Sequence, residues 1–355
     1  MDGKQFSSRL LKWYDKNKRE MPWRNTKDPY AIWLSEIIMQ QTRVAQGTEY
    51  YLRFLAAFPD IYSFASASED EIMKLWQGLG YYSRARYMMA TAKEIISAHD
   101  GKFPSIYKDL IKLKGIGSYT AAAIASISFN EPVAVVDGNV LRVFTRYAGI
   151  RESIEKGNVR KSIRDSLNKL IDLKNPAEFN QAMIELGAIL CTPRSPDCNN
   201  CPLLAGCFAA ENRLQAELPV KKSKAKPKSR FFHYLIINSR GKYPIHKRNG
   251  QDIWKALYEF PLIETIEEIS PETLLGMREV KEITLNSEVK IIKITGPLKH
   301  LLSHQTIYAY FYSLLLKGDY SLPHSEYINV TRESLNDYAF PRLIDRYLEK
   351  NDFME

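Results

Sequence analysis

Residues 105–129 read SIYKDLIKLKGIGSYTAAAIASISF, with Gly115 and Gly117 one residue apart between two stretches of helical apolar spacing. Ser105 follows Pro104 and is placed to cap a short first helix ending near Leu113. A second helix, built of small residues, begins near Ser118. An ordinary turn between helices needs only one glycine. The pattern L-x-G-x-G followed by TAAAIAS is that of a helix-hairpin-helix. Its glycines remove the Cβ atoms that would hold a phosphate away from the backbone N–H groups opening the second helix. The stretch therefore predicts a helical domain that grips a phosphate backbone.

Outward from this hairpin the pattern stays helical. LLKWYDKNK (10–18), PYAIWLSEIIMQQTRVAQGTEYYLRFLAAF (29–58), EDEIMKLWQGL (69–79), SRARYMMATAKEIISAH (83–99) and FNQAMIELGAIL (179–190) repeat apolar residues three and four apart. The stretch KKSKAKPKSR (221–230) carries six positive charges and no acid, which cannot build a core and reads as a solvated linker. Beyond it FFHYLIIN (231–238), VKIIKIT (289–295) and TIYAYFYSLLL (306–316) are β-branched and aromatic runs, as strands are, while PETLLGMREV and ESLNDYAFPRLIDRYLEK read as helices. At 355 residues two domains are expected. We read an all-α domain over 1–217, with the hairpin at 105–128, a basic linker over 218–230, and a smaller α/β domain over 231–355. The net charge of +9 points to a polyanion, but without the linker the chain is only mildly basic. Binding must then rest on placed groups. No apolar run approaches the roughly eighteen residues of a membrane span, and a monomer is expected.

All four cysteines lie within CTPRSPDCNNCPLLAGC: Cys191, Cys198, Cys201 and Cys207, spaced C-x6-C-x2-C-x5-C. Four clustered thiolates suit a [4Fe–4S] cube or one zinc ion. Disulfides would need a secreted chain, yet the start, MDGKQFSSRLLKWYDKNKRE, has no apolar signal region or cleavage site, so a cytoplasmic (if bacterial, nucleoid-associated) protein is expected. The spacing lacks the paired C-x2-C units of a zinc ribbon and favours the cluster.

Two carboxylates stand out. Asp28 before Pro29 is a strong helix start. Glu36 then falls inside AIWLSEIIM, where almost every neighbour is apolar, so its carboxyl is expected to be desolvated and to hold a proton near neutral pH. Asp137 precedes GNVLRVFTR, and by position alone it reads as a helix cap.

Together with the hairpin and the cysteine loop, the segments MPWR (21–24), DPYAIWLSEIIMQQTRV (28–44), GLGYYSRAR (78–86), GIGSYTAAAI (115–124) and VVDGNVLRVFTR (135–146) resemble the endonuclease III superfamily of DNA glycosylases, and within it the MutY adenine DNA glycosylases. The resemblance spans residues 21–207 and implies a [4Fe–4S] cluster on the four cysteines. It implies Glu36 as the acid that protonates a ring nitrogen of adenine, and Asp137 as the carboxylate that stabilises the cationic sugar, a role compatible with capping. Superfamily members that also cut the strand carry lysine in a G-x-G-x-K-T pattern and form a Schiff base. Here the pattern is G-I-G-S-Y-T, and Tyr119 cannot form an imine, so a monofunctional enzyme is implied. Tyr119 and Asn139 match residues placed beside the catalytic groups; Arg19, Arg24 and Gln181 match the adenine pocket. Gln41 and Tyr81 match residues that wedge into DNA around 8-oxoguanine once a base is flipped out, with Thr42 next to that base. On its own, the tyrosine pair after two glycines reads as loop packing.

The C-terminal half, through KRNGQDIWKALYEFPLIE (247–264) and KHLLSHQTIYAYFY (299–312), resembles the MutY recognition domain, which shares the Nudix fold. No R-E-x-x-E-E metal motif is present, since PETLLGMREVKEIT is too degenerate, so nucleotide hydrolysis is not expected. Where the family often has Phe-Ser-His this chain has Leu302-Ser303-His304, keeping the Ser and His implied to contact 8-oxoguanine. Met21 and Lys114 also replace the family's usual leucine and proline. The implied partner is duplex DNA holding adenine opposite 8-oxoguanine or guanine. Rival readings are a bifunctional thymine-glycol or uracil-type glycosylase, and a DNA-binding module without catalysis. Tyr119 argues against the first; the cost of an idle buried Glu36 argues against the second.

Overall fold

The computed structural model describes residues 3–222, 227–317 and 326–350. The chain divides into two compact units: Met1–Ser66 with Tyr87–Ser223, and Ala67–Arg86 with Lys224–Glu355.

The first unit is helical. At its centre the helix Pro29–Ile38 is buried from Tyr30 to Ile38. Asp28 opens it as expected, its carboxylate accepting from the Tyr30 and Ala31 N–H groups at 3.1 and 3.3 Å. Against it packs the second hairpin helix, Ser118–Phe129, whose Ala121–Ala125 run is fully buried; the small side chains let the two backbones approach. The first hairpin helix is shorter than expected, Tyr107–Leu110, and Ser105 does not cap it. Glu131 does that work, accepting from the Tyr107 N–H at 2.5 Å. A carboxylate from beyond the second helix thus closes the hairpin on itself. FNQAMIELGAIL is not one continuous α-helix: Pro176–Glu185 gives way to a π-helical turn over Leu186–Leu190.

The second unit holds seven strands among the described residues: β1 (Lys228–Ile237), β2 (Lys242–Lys247), β3 (Tyr258–Glu259), β4 (Leu262–Thr265), β5 (Val289–Leu301), β6 (Gln305–Leu316) and β7 (Tyr327–Thr331). They form a four-stranded sheet in the order β4-β1-β6-β5 and a three-stranded sheet, β3-β2-β7. β1 and β6 run parallel, with Lys228 opposite Gln305 and Arg230 opposite Ile307. β5 and β6 form an antiparallel hairpin whose turn is residues 302–304. β1 begins at Lys228, so the last three residues of the expected linker are strand; Ser223–Lys226 lie outside the described residues.

Residues 67–86, which carry the helix Glu69–Trp76, group with the α/β unit. Lys247 Nζ meets Asp70 and Glu69 at 2.7 and 2.9 Å. Lys74 Nζ donates to the Tyr338 carbonyl at 3.1 Å, and Gln77 Nε2 to Asp345 at 2.5 Å.

Candidate active site and cysteine cavity

Glu36, Tyr119, Asp137 and Asn139 form one constellation. Glu36 is 7% exposed. Burial raises its carboxyl to about 7, and the nearby charge of Asp137 acts in the same direction, against a hydrogen bond from the Tyr119 hydroxyl. Burial, then Glu36 and Asp137, push Tyr119 well above its ordinary value, so it stays a neutral donor. Asp137 caps the helix Gly138–Ala148, Oδ1 accepting from the Val140 N–H at 2.7 Å, while Oδ2 accepts from Asn139 Nδ2 at 3.0 Å. Burial raises Asp137 as well, but those donors and the Arg142 charge oppose it. Capping and membership of the constellation coexist in this residue.

Asn180, buried on the helix Pro176–Glu185, was not singled out from the sequence. Its Oδ1 accepts from the Val135 N–H at 2.9 Å, and its Nδ2 donates to the Val133 carbonyl and Ser126 Oγ at 2.9 and 3.0 Å. It thereby holds the extended segment that delivers Asp137.

Arg19, Arg24 and Gln181 line a single cavity with Tyr14, Trp23 and Glu178. Behind them is Glu185, which sequence reasoning missed. Its carboxylate accepts from Arg19 Nε at 2.6 Å and Nη2 at 3.0 Å, and from Arg24 Nη2 at 2.7 Å. Burial alone would raise this acid; the two guanidinium groups instead hold it down at about 2. Arg24 Nε is buried without an acceptor among the described residues, a free donor beside a polar cavity.

The four cysteines surround a second cavity. Among the described residues no three His, Cys, Asp or Glu side chains are placed to share a single metal ion. Cys191, Cys198, Cys201 and Cys207 line one space, a set of four sulfur donors that fits a [4Fe–4S] cluster or one zinc ion. N–H donors to sulfur are in place: Arg146 Nη1 lies 3.3 Å from Cys191 Sγ, and Gln215 Nε2 lies 3.8 Å from Cys198 Sγ. Burial pushes the free Cys201 thiol up to about 12, so it becomes a thiolate ligand only when a cation compensates the charge. Arg146, 2% exposed, also donates to the carbonyls of Thr192, Pro193, Gln215 and Leu218, stitching the loop to the helix Gly138–Ala148.

The hairpin glycines differ in kind. Gly115 has φ +81°, and a Cβ there would lie 2.5 Å from Tyr87 Cβ, so the fold itself requires glycine. A Cβ on Gly117 would meet nothing within 4 Å, so nothing within the protein demands glycine there. Gln41 and Tyr81 both hold left-handed backbone conformations, φ 58° and 48°. Each costs on the order of 1 kcal/mol for a non-glycine residue and presents an exposed side chain. Thr42 is tied locally, its hydroxyl to the Gln40 carbonyl at 3.3 Å. In the second unit Ser303 and His304 are exposed at the β5–β6 turn, and Ser303 Oγ lies 3.0 Å from the Tyr81 hydroxyl.

Residues 34–169 match the HhH-GPD superfamily of base excision DNA repair proteins, and residues 233–350 match the NUDIX domain. The adenine DNA glycosylase of Buchnera aphidicola subsp. Baizongia pistaciae is 36% identical over 306 residues, covering 85% of this chain and 84% of the relative. The chain belongs to the adenine DNA glycosylase family. The Arabidopsis thaliana adenine DNA glycosylase is 38% identical over 304 residues, but the match spans only 48% of that longer protein and 74% of this chain. Among solved structures, a thermostable thymine-DNA glycosylase superposes with TM-score 0.54 at 29% identity, over 58% of this chain and 95% of its own. The family's helical domain, followed by a smaller Nudix-like one, is the fold expected from the sequence.

In the unfolded chain Glu36 ionises above about pH 4.5, whereas in the folded chain it keeps its proton to about 7. Stability therefore falls as pH rises through that window, by roughly 3 kcal/mol. Glu36→Gln lacks this loss, so DNA-free thermal melts should place the variant above the parent at pH 8 and level with it at pH 4. For the hairpin, Gly115→Ala should lower stability by roughly 1–3 kcal/mol. Gly117→Ala should leave the melting temperature within a degree or two yet weaken duplex binding in a titration.

Proposed function

We propose that the protein is a monofunctional glycosylase that removes adenine opposite 8-oxoguanine, and more weakly opposite guanine, leaving an abasic site. The observation that carries this reading is Glu36: a buried acid with its carboxyl raised to about 7, beside Asp137 and beside Tyr119, which stands in the hairpin where an imine-forming lysine would be. Adenine is a poor leaving group until a ring nitrogen is protonated, and an acid poised near neutrality supplies that proton. The N-glycosidic bond then breaks with its electron pair going to the base. The oxocarbenium-like sugar that remains is stabilised by Asp137, whose two oxygens are held in place by Val140 N–H and Asn139. Water adds its oxygen to the sugar, and its proton restores Glu36.

Arg19, Arg24 and Gln181 would receive the flipped adenine, while the buried Glu185 fixes the two guanidinium groups from behind. The hairpin N–H groups beside Gly117 would hold a DNA phosphate, and Gln41 and Tyr81 would fill the vacated stack. Cys191, Cys198, Cys201 and Cys207 would hold a [4Fe–4S] cluster, which when bound supplies a cross-link that fixes the loop. Ser303 and His304 would read the C8 carbonyl and protonated N7 of 8-oxoguanine. Sites that hydrogen-bond such groups discriminate strongly, because the unmodified base leaves their polar partners unpaired. The helical unit would then perform the chemistry and the α/β unit would read the opposite base.

The test is excision from duplexes holding adenine opposite 8-oxoguanine, adenine opposite guanine, or thymine glycol, with and without alkali. Breaks should appear on the first two only after alkali, and none on the third; a complex trapped by borohydride would refute the monofunctional reading. Glu36→Gln and Asp137→Asn should each abolish excision while leaving affinity for the mispaired duplex within a few-fold. As purified in air, the protein should carry a broad visible charge-transfer band, and a colourless, fully active preparation with one zinc per chain would reverse the choice of metal.

A further inference from the structure

The turn Leu302–Ser303–His304 poses a mechanical problem. Its Ser303 and His304 side chains are exposed, so packing alone does not fix them; Ser303 Oγ meets only the tip of an exposed side chain, the Tyr81 hydroxyl at 3.0 Å. Yet a hydroxyl and an imidazole that distinguish a C8 carbonyl and an N7–H must be held to within about half an ångström. Backbone bonds hold both ends of the turn: the Leu302 N–H donates to the Gln305 carbonyl at 2.9 Å, and the Lys228 N–H donates to the His304 carbonyl at 3.1 Å. Gln305, the residue after His304, is held by its side chain as well. Its Oε1 accepts from Arg230 Nη1 at 3.0 Å.

Arg230 is itself fully committed. Nε and Nη2 donate to Glu264 at 2.6 and 2.7 Å, and Nη1 and Nη2 donate to Asp252 at 3.0 and 2.6 Å. With the bond to Gln305, all five guanidinium hydrogens are used. The guanidinium also lies 4.9 Å from the centre of the Phe232 ring. Two carboxylates neutralise the arginine, so although it closes a run of basic residues it is poorly suited to bind phosphate. Ion pairs with carboxylates as exposed as these, 40% each, also add little to stability. What remains is geometry: a rigid fork that orients the residue adjoining the turn.

We propose that Arg230 is a positioning residue which, through Gln305, sets the place of Ser303 and His304 and so sharpens discrimination between 8-oxoguanine and guanine. This rests on the reading of Ser303 and His304 given above. The experiment uses the full chain, with single-turnover excision of adenine opposite each base for Arg230→Met, Gln305→Leu, the pair together, and Ser303→Ala with His304→Ala. Met keeps the aliphatic packing over Phe232, and thermal melts check folding. If Arg230→Met folds poorly, Gln305→Leu alone decides the outcome.

The preference for 8-oxoguanine should fall roughly threefold to tenfold in each of the first two variants and by no more in their combination, with rates opposite guanine within about twofold of the parent. Equal losses on both duplexes, or weaker binding to every duplex with a shallower salt dependence, would overturn the proposal. The second of these outcomes would mean that Arg230 contacts phosphate. If Ser303→Ala with His304→Ala leaves the preference intact, the reading of the turn fails and this inference with it. If that pair lowers the preference but Arg230→Met and Gln305→Leu do not, only the role of Arg230 fails.

Discussion

The burial of one carboxyl organises the helical unit. Glu36 sits on a helix buried from Tyr30 to Ile38, where burial makes ionising it unfavourable. A protein of ordinary stability, roughly 5–15 kcal/mol, gives up a sizeable part of that margin to keep such a group. The neighbours show the cost being contained rather than removed. Tyr119 offers one hydroxyl, and among the described residues no lysine or arginine is set to pair with Glu36 and fix it as a carboxylate. A paired Glu36 would stabilise the fold and be useless as an acid near pH 7. Glu185 is the counterexample within the same unit: also fully buried, it is clamped by Arg19 and Arg24 and driven to about 2. Two buried glutamates in opposite environments thus differ in charge at neutral pH, one poised to hold a proton and the other ionised.

Around Asp137 the same logic runs through hydrogen bonds. Asn139 donates to Asp137, Arg142 donates to Asn139 at 2.8 Å, and Arg142 reaches on to the carbonyls of Gly187 and Cys191 at 2.7 and 2.8 Å. The π-helical turn at Leu186–Leu190 belongs to this arrangement. A Cβ on Gly187 would lie 2.6 Å from Asn139 Cβ, so glycine lets the turn press against the residue that holds Asp137. The turn's irregularity exposes the carbonyls that Arg142 uses. Positioning of the second carboxylate is therefore inseparable from the path of the chain into the cysteine loop.

Much of this was legible in the sequence because it rests on local rules. Asp28–Pro29 dictates a helix start, apolar neighbours dictate the burial of Glu36, and an aspartate before a helix dictates a cap at Asp137. The hidden parts depend on partners distant in the chain. Nothing near Glu131 announces that it will cap the helix at Tyr107, and nothing near Glu185 announces two arginines more than 160 positions away. Asn180 looks like one polar residue on an amphipathic helix until Val133 and Val135 are laid beside it. Residues 67–86 read as one more helix of the first domain, because the periodicity of Glu69–Trp76 says nothing about which core it joins. The left-handed backbones of Gln41 and Tyr81 carry no glycine or asparagine signal at all.

Those two residues, with Gly117, expose a pattern that packing does not explain. Gly115 is demanded by the fold, through its positive φ and the Tyr87 contact, whereas Gly117 is demanded by nothing inside the protein. Gln41 and Tyr81 hold costly conformations and present exposed side chains, that of Tyr81 meeting Ser303 Oγ through its hydroxyl. In a molecule selected for stability alone, such positions would relax: alanine would replace Gly117, and glycine or asparagine would replace the two strained residues. The features that are unfavourable or unnecessary in the free protein are the ones a bent, base-flipped duplex would use: an open N–H cradle for a phosphate and two protruding wedges for the stack. In the proposed complex their cost would already be borne by the folded protein, so that less ordering would be needed when the duplex binds.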